Sequence, residues 1–239
     1  MQNKMIISTP TSQTSNHLRM LDGNSSVNSS MDFKNQASVH TVGGVSALSN
    51  PISVPMTPQH QNLPAEYQQK KQQAEVFHSQ GYASRKQGDY ISAIGYYSKA
   101  LEIMPTHFKA LFNRGFAFDK IGEFDRAISD YSTAISIDPT NAFTYYNKGI
   151  SLDRKGDFDE AIKSFSKAIE LEGTKADFYH NRGFAYRKKR DYGQAIKDYT
   201  KAIQLDTGHF KAYYNRAFCW DKIGKLEEAE RDYILAINL

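Results

Sequence analysis

The chain has 239 residues, enough for one or two ordinary domains, and its formal net charge is only +4. Residues 74–239 hold 25 Lys and Arg against 23 Asp and Glu, and this near-neutral balance argues against nucleic acid as a partner. No apolar run is long enough to span a bilayer, and a single cysteine excludes an internal disulfide. We therefore expect a cytoplasmic protein that binds no membrane, and the sequence leaves a nuclear or ciliary location open.

The first part of the chain differs in composition from the rest. Residues 1–64 are rich in Ser, Thr, Asn, Gln and Pro and poor in aromatic residues. Such a segment cannot bury enough apolar surface to offset its chain entropy, so the sequence predicts a disordered tail there. Residues 65–73 are polar and are predicted to extend the first helix of the next region as a lead-in.

From residue 74 onward the sequence repeats itself every 34 residues. Cutting at this period gives unit 1 (74–107), unit 2 (108–141), unit 3 (142–175), unit 4 (176–209) and a truncated unit 5 (210–239). Small residues recur at the eighth, twentieth and twenty-seventh places of each unit, and an aromatic residue recurs at the twenty-fourth. The eighth place carries Gly81, Gly115, Gly149, Gly183 and Ala217, and the twenty-fourth carries Tyr97, Tyr131, Phe165, Tyr199 and Tyr233.

Each unit has the pattern of two short helices joined by a turn. In unit 2, Leu111, Gly115 and Phe118 share one face of the first helix, and Ala127 and Tyr131 share one face of the second. A glycine in the turn suits the left-handed conformation that ends a helix, and an Asp or Glu after it is predicted to cap the next helix. The turn positions are Gly88, Gly122, Gly156, Arg190 and Gly224.

These motifs resemble the tetratricopeptide-repeat (TPR) family, whose unit has 34 residues and this order of small and aromatic positions. The resemblance covers residues 74–239. It implies an all-α fold, a right-handed α-solenoid of five helix-turn-helix units in which the first helices line a concave side. Proteins of this family serve as interaction scaffolds, and the sequence shows no constellation of catalytic residues, so we expect no enzyme activity, no cofactor and no metal site.

The resemblance places the second, fifth, sixth, ninth, twelfth and thirteenth residues of each unit on the concave side. Three kinds of side chain recur there, an amide at the sixth place, a mostly aromatic side chain at the ninth and a base at the thirteenth. The amides are Asn113, Asn147, Asn181 and Asn215; the aromatic residues include Phe116, Phe184 and Phe218; the bases include Lys120, Arg154, Lys188 and Lys222.

The asparagines carry the functional hypothesis. A carboxamide both donates and accepts hydrogen bonds, so a row of them is predicted to hold the backbone of an extended partner segment. The row looks like the asparagine ladder in the TPR part of the O-linked N-acetylglucosamine transferases. Alternatives stay open at each ladder: the amides bond to neighbouring helices, the rings belong to the core between units, and the bases satisfy carbonyls at the helix ends.

Arg at the seventh place and Asp at the twenty-third occur together or not at all. Units 2, 4 and 5 have both residues, whereas units 1 and 3 have neither. This covariation predicts structural ion pairs between the two helices of a unit. The predicted pairs are Arg114 with Asp130, Arg182 with Asp198, and Arg216 with Asp232.

Two functions follow from these patterns. The first is a scaffold that binds an extended peptide segment of another protein in the concave groove. The alternative is a substrate-selecting arm of a larger enzyme, such as a glycosyltransferase of the O-GlcNAc type. Since unit 5 has no capping helix after it, we also expect its last helix to dock against a second copy or against a further part of the polypeptide.

Overall fold

The computed structural model describes residues 64–239 and places them in ten α-helices, with no strand in this part of the chain. Apart from Pro64, the tail predicted over residues 1–64 lies outside the described residues. The helices are α1 (Ala65–Lys86), α2 (Tyr90–Ile103), α3 (Phe108–Lys120), α4 (Phe124–Ile137), α5 (Ala142–Lys155), α6 (Phe158–Leu171), α7 (Ala176–Lys188), α8 (Tyr192–Leu205), α9 (Phe210–Lys222) and α10 (Leu226–Asn238). Each unit is one pair of helices, and residues 65–73 form the opening turns of α1.

The repeated small and aromatic residues meet inside each helix pair. Tyr97, Tyr131, Phe165 and Tyr199 are buried, and each lies against the glycine at the eighth place of its own unit. A Cβ added at Gly149 would lie 2.6 Å from Cε1 of Phe165, so no larger residue fits without a shift. A single helix pair cannot bury its apolar face alone, so stacking the pairs gives the core that a repeat array needs.

The turns follow the predicted pattern, with one informative exception. Gly88, Gly122, Gly156 and Gly224 have φ between 77° and 95°, and Arg190 adopts the same left-handed region with φ of 63°. A side chain in this region costs roughly 1 kcal/mol relative to glycine.

The predicted acidic caps form at only some of the turns. Asp89 accepts from Ser92 N–H at 3.0 Å and Asp191 accepts from Gln194 N–H at 3.1 Å. Glu123 and Asp157 make no side-chain cap, so the prediction is wrong there. Asp157 instead lies 3.0 Å from the Nζ of Lys155.

The first helices of successive units form a row. Helix α1 contacts α3, α3 contacts α5, α5 contacts α7 and α7 contacts α9. The surface made by the second, fifth, sixth, ninth, twelfth and thirteenth residues of each unit lies along this row, and we call it the inner face. No helix within residues 64–239 combines the length and apolarity needed to cross a bilayer.

Candidate functional site

Three of the four asparagines of the sixth place, Asn113, Asn147 and Asn181, are fixed by their own helices. Asn113 Nδ2 donates to the carbonyl of Lys109 at 2.9 Å, and Asn147 Nδ2 donates to that of Phe143 at 2.8 Å. Asn181 makes the same bond to the residue four places earlier, at 2.9 Å. These bonds hold each amide in one orientation on the inner face.

Three of the asparagines also donate to the fifth residue of the preceding unit. Asn113 Nδ2 lies 3.1 Å from Nε2 of His78, and Asn215 Nδ2 lies 3.1 Å from Nε2 of His180. Asn181 Nδ2 donates to the hydroxyl of Tyr146 at 2.8 Å. The alternative that the amides bond to neighbouring helices therefore holds for these Nδ2 groups. These groups link each of the three units to the one before it.

Asn147 is the exception among the four. The fifth place of the preceding unit holds Phe112, whose ring offers no hydrogen-bond acceptor. Asn147 is half-buried, whereas the other three asparagines are 5–9% exposed. The amide of Asn147 is thus the most accessible of the row.

The aromatic and basic ladders contact each other. The Nζ atoms of Lys120, Lys188 and Lys222 lie 5.0–5.1 Å from the ring centroid of the aromatic residue one turn earlier in the same helix. Their rings are those of Phe116, Phe184 and Phe218, of which Phe184 is buried and the other two are half-buried. The bases therefore lie on apolar surface, with their charges at the inner face.

The middle of the inner face departs from this arrangement. Unit 3 has Ile150 at the ninth place, and its base, Arg154, forms an ion pair with Asp119 of unit 2. Asp119 also accepts from the hydroxyl of Ser151 at 2.8 Å. Burial nevertheless raises the pKa of Asp119, against the opposing effect of Arg154.

Each predicted Arg–Asp pair is joined by two hydrogen bonds. Nε and Nη2 of Arg114 donate to the two carboxylate oxygens of Asp130 at 2.8 Å each. The corresponding distances are 2.7–2.8 Å in the pairs Arg182 with Asp198 and Arg216 with Asp232.

The third nitrogen of each guanidinium donates to a hydroxyl of the preceding unit. The acceptors of Arg114, Arg182 and Arg216 are Ser98, Ser166 and Thr200, each at 3.0 Å. These hydroxyls, all at the twenty-fifth place, are absent from the sequence-based prediction. The arginines therefore join units as well as helices.

Two pairs of neighbouring histidine rings lie at the ends of the inner face. The rings of His78 and His107 have centroids 5.3 Å apart, and those of His180 and His209 are 4.8 Å apart. Burial lowers the pKa of His78 and lowers that of His180 to about 3. Both rings are therefore neutral near pH 7, which leaves Nε2 able to accept from an asparagine.

The single cysteine and the acidic and histidine side chains of the described range were compared with the needs of a nucleophile and of a metal site. Cys219 is fully buried, and burial raises the pKa of its thiol to about 12, so the thiolate nucleophile is not formed near neutral pH. Among the described residues no three His, Cys, Asp or Glu side chains are grouped so as to hold a metal ion. The arrangement offers hydrogen bonds, rings and charges to a ligand.

Comparison with known proteins gives matches of two kinds. Two family models, both described as Tetratricopeptide repeat, match the chain, one over residues 108–141, 142–174 and 176–208 and the other over residues 74–107. No curated protein sequence matches the chain.

Several solved structures are similar in fold. The crystal structure of MamA has 28% identity and a TM-score of 0.64, covering 66% of this chain and 92% of that one. MamA from Desulfovibrio magneticus RS-1 has 18% identity and a TM-score of 0.67, covering 70% and 94%. YrrB, described as a TPR protein with an unusual peptide-binding site, has 18% identity and a TM-score of 0.62, covering 73% and 91%. At identities near 18%, the likeness shows the fold alone.

Proposed function

The chain belongs to the tetratricopeptide-repeat family, and on that premise we propose that its inner face binds an extended segment of a partner protein. A protein-binding scaffold is the function that the family supports, and YrrB, which has the same fold, is described as having a peptide-binding site. The row of four asparagines at one place of four consecutive units is the observation that carries the finer proposal.

The geometry of the amides suits backbone recognition. Every hydrogen bond described above for these side chains uses Nδ2, and a carboxamide oxygen has two lone pairs with which to accept. An Oδ1 held in a fixed orientation can accept a backbone N–H of the partner whatever the side chains of that partner are. Because the amides are already fixed, binding loses little side-chain entropy at these four positions.

Asn147 is expected to contribute most to binding. It makes no bond to the preceding unit, and it is more exposed than the other three asparagines. Replacing it removes one hydrogen bond within α5, whereas replacing Asn113 or Asn215 also removes a bond between units. Asn147→Ala therefore separates recognition from stability better than a change at either of those positions.

The test is capture of partner proteins from cells with the full-length chain, wild type and Asn147→Ala. Partners should be recovered with the wild type and reduced about fivefold or more with the variant, as expected for one lost hydrogen bond of about 1 kcal/mol. Thr133→Ala is the matched control, because Thr133 is exposed on the second helix of unit 2 and its hydroxyl bonds only to its own helix.

Thermal melts of both variants show whether each remains folded. Equal capture by Asn147→Ala and the wild type, with both folded, would contradict the proposal. Equal loss in the Thr133→Ala control would also contradict it, because partner binding would then not depend on the inner face.

A further inference from the structure

The end of the inner face at units 1 and 2 has a compact group of rings and bases, which we call the first cassette. The guanidinium carbon of Arg85 lies 4.9 Å from the ring centroid of Tyr82 and 5.0 Å from that of Phe116. Lys86 lies over the ring of Tyr82 at 5.5 Å, and Lys120 lies over that of Phe116 at 5.1 Å. Tyr82 and Phe116 thus each contact two cations. Because Arg85 of unit 1 contacts the ring of Phe116 in unit 2, the group joins the two units.

The same group recurs 102 residues later, at units 4 and 5, as the second cassette. Arg187 lies between Phe184 and Phe218, at 4.7 Å and 4.8 Å from their centroids. Lys188 and Lys222 lie over those two rings at 5.0 Å and 5.1 Å. Each of the five residues has its counterpart in the first cassette at the same place of the repeat, so the inner face contains one arrangement twice.

The surroundings of the two cassettes are duplicated as well. Phe116 packs edge-on against Tyr90 at 6.4 Å, and Phe218 packs edge-on against Tyr192 at 6.5 Å. The contacts of His78 with Asn113 and of His180 with Asn215 are both 3.1 Å long. Since the environments match, the two cassettes should recognise the same chemistry.

The part of the inner face between the cassettes lacks this arrangement. Unit 3 has Asp153 at the twelfth place, where the first unit of each cassette has arginine, and Ile150 takes the place of a ring. The positive charge of Arg154 is offset by its ion pair with Asp119 of unit 2. The inner face therefore consists of two cationic ends separated by a section that neutralises itself.

Charge distinguishes the inner face from the rest of the repeat region. Its thirty residues include nine Lys and Arg against five Asp and Glu, whereas the remaining residues of 74–239 hold sixteen against eighteen. Lys86, Lys188 and Lys222 are exposed, and they end on the inner face beside rings that also offer apolar contact. An acidic segment is the ligand that this distribution attracts.

Resting on the proposed function, we infer that the inner face has two docking sites of the same kind for acidic protein segments, one at each cassette. A partner with two acidic stretches joined by a spacer would occupy both sites at once. The first site is the tighter one, because Asp119 beside it is engaged by Arg154, while Asp221 lies 3.3 Å from Lys222 in the second. Asp153 further reduces the positive charge of the second site, because Lys188 and Arg187 are close enough to act on the pKa of its carboxyl group.

Isothermal titration of the full-length chain with a short poly-glutamate peptide tests the inference, with poly-glutamine as the neutral probe. The wild type should bind two peptides per chain, and binding should weaken as salt rises. Lys86→Ala with Lys120→Ala should leave one site, Lys188→Ala with Lys222→Ala should leave the other, and all four changes should abolish binding. A peptide with two glutamate runs joined by a long Gly–Ser spacer should bind the wild type roughly 100-fold more tightly than one run does.

The matched control removes two lysine charges at a different place of the repeat. Lys99 and Lys201 occupy the twenty-sixth place of units 1 and 4, are exposed, and are also 102 residues apart. Replacing both with Ala should leave two sites; an equal loss there, or binding that no lysine pair alters, would overturn the inference. If capture of cellular partners still depends on Asn147 in that case, the proposed function stands without the two cassettes, and if it does not, both fail.

Discussion

The junction between units 1 and 2 and the junction between units 4 and 5 share one arrangement of side chains, whereas the junction between units 2 and 3 is built differently. At the two outer junctions a histidine accepts from an asparagine and an arginine lies between two rings. At the middle junction Phe112 offers no acceptor to Asn147, and Asp119 binds Arg154 and Ser151 instead. The core repeats after one unit, but the chemistry of the inner face repeats after three. Packing thus sets the short period, and the longer period belongs to the surface that we propose for binding.

The largest effect is expected at the middle junction. Asp119→Ala leaves Arg154 without its carboxylate and Ser151 without its acceptor, in a place where Asp119 itself is 7% exposed. We expect the free energy of unfolding to fall by about 2–3 kcal/mol, measured by chemical denaturation.

The matched change is Asp221→Ala, at the same place of unit 5. Asp221 is exposed, and its ion-pair partner is the exposed Lys222 beside it in sequence. This change should alter stability by less than about 0.5 kcal/mol. A similar loss in the free energy of unfolding in both variants would mean that the bonds of Asp119 to Arg154 and Ser151 do not stabilise the middle junction.

Acidification should weaken the junction between units 4 and 5. The pKa of His180 is about 3 in the folded chain against an ordinary 6.5, so the unfolded chain takes up its proton first. Stability is therefore complete above about pH 6.5 and is lost as pH falls toward 3, at up to about 1.4 kcal/mol per pH unit for this group. His209, Asp177, Lys211 and Arg187 are the charged or titratable groups that act on it.

His180→Tyr removes this titration and keeps an acceptor for Asn215, as Tyr146 provides one for Asn181 in the same position. Melting temperatures at pH 7 and pH 5 should differ less for His180→Tyr than for the wild type. An unchanged difference would show that His180 does not stay neutral in the folded chain.

The smallest effect concerns the turn between the two helices of unit 1 and the corresponding turn of unit 4. Gly88 and Arg190 occupy the same place, and both have positive φ, at 81° and 63°. Arg190→Gly should raise the free energy of unfolding by about 0.5–1 kcal/mol because it relieves backbone strain. Gly88→Arg should lower it by a similar amount in the same denaturation experiment, and equal stabilities of the two variants would contradict the assignment of strain to Arg190.

The sequence predicted the features that depend on spacing alone. The 34-residue period gives the helix pairs, and the need for a small residue beside an aromatic one explains why Gly149 faces Phe165. The covariation of arginine and aspartate also paired residues that lie 2.7–2.8 Å apart, because a charge that is buried on one helix requires its partner on the other.

The contacts between units could not be predicted in the same way. Whether the fifth residue of one unit reaches the asparagine of the next depends on the angle between the stacked pairs, which periodicity does not specify. The hydroxyls at the twenty-fifth place do not identify their partners from the sequence alone. Ser132 of unit 2 has such a hydroxyl, but the next unit has Lys148 where the other units have the arginine. The 102-residue period was visible in principle, since His78 and His180 are that far apart, but the stronger 34-residue period obscured it.

The hydroxyl bonds of the arginines have a mechanical consequence for the stack. Arg114, Arg182 and Arg216 fasten the second helix of one unit to the next unit at three of the four joints. At the remaining joint Ser132 bonds to its own helix, Asp119 links the two first helices, and Lys155 of unit 3 pairs with the exposed Asp125 on the second helix of unit 2 at 2.9 Å. An exposed ion pair contributes at most about 1 kcal/mol, so Lys155 and Asp125 hold the second-helix edge of this joint more weakly than the half-buried arginine bonds hold the others. The joint between the second and third units is therefore the one with the weakest polar bond along its second-helix edge, and the stack is fastened unevenly along its length.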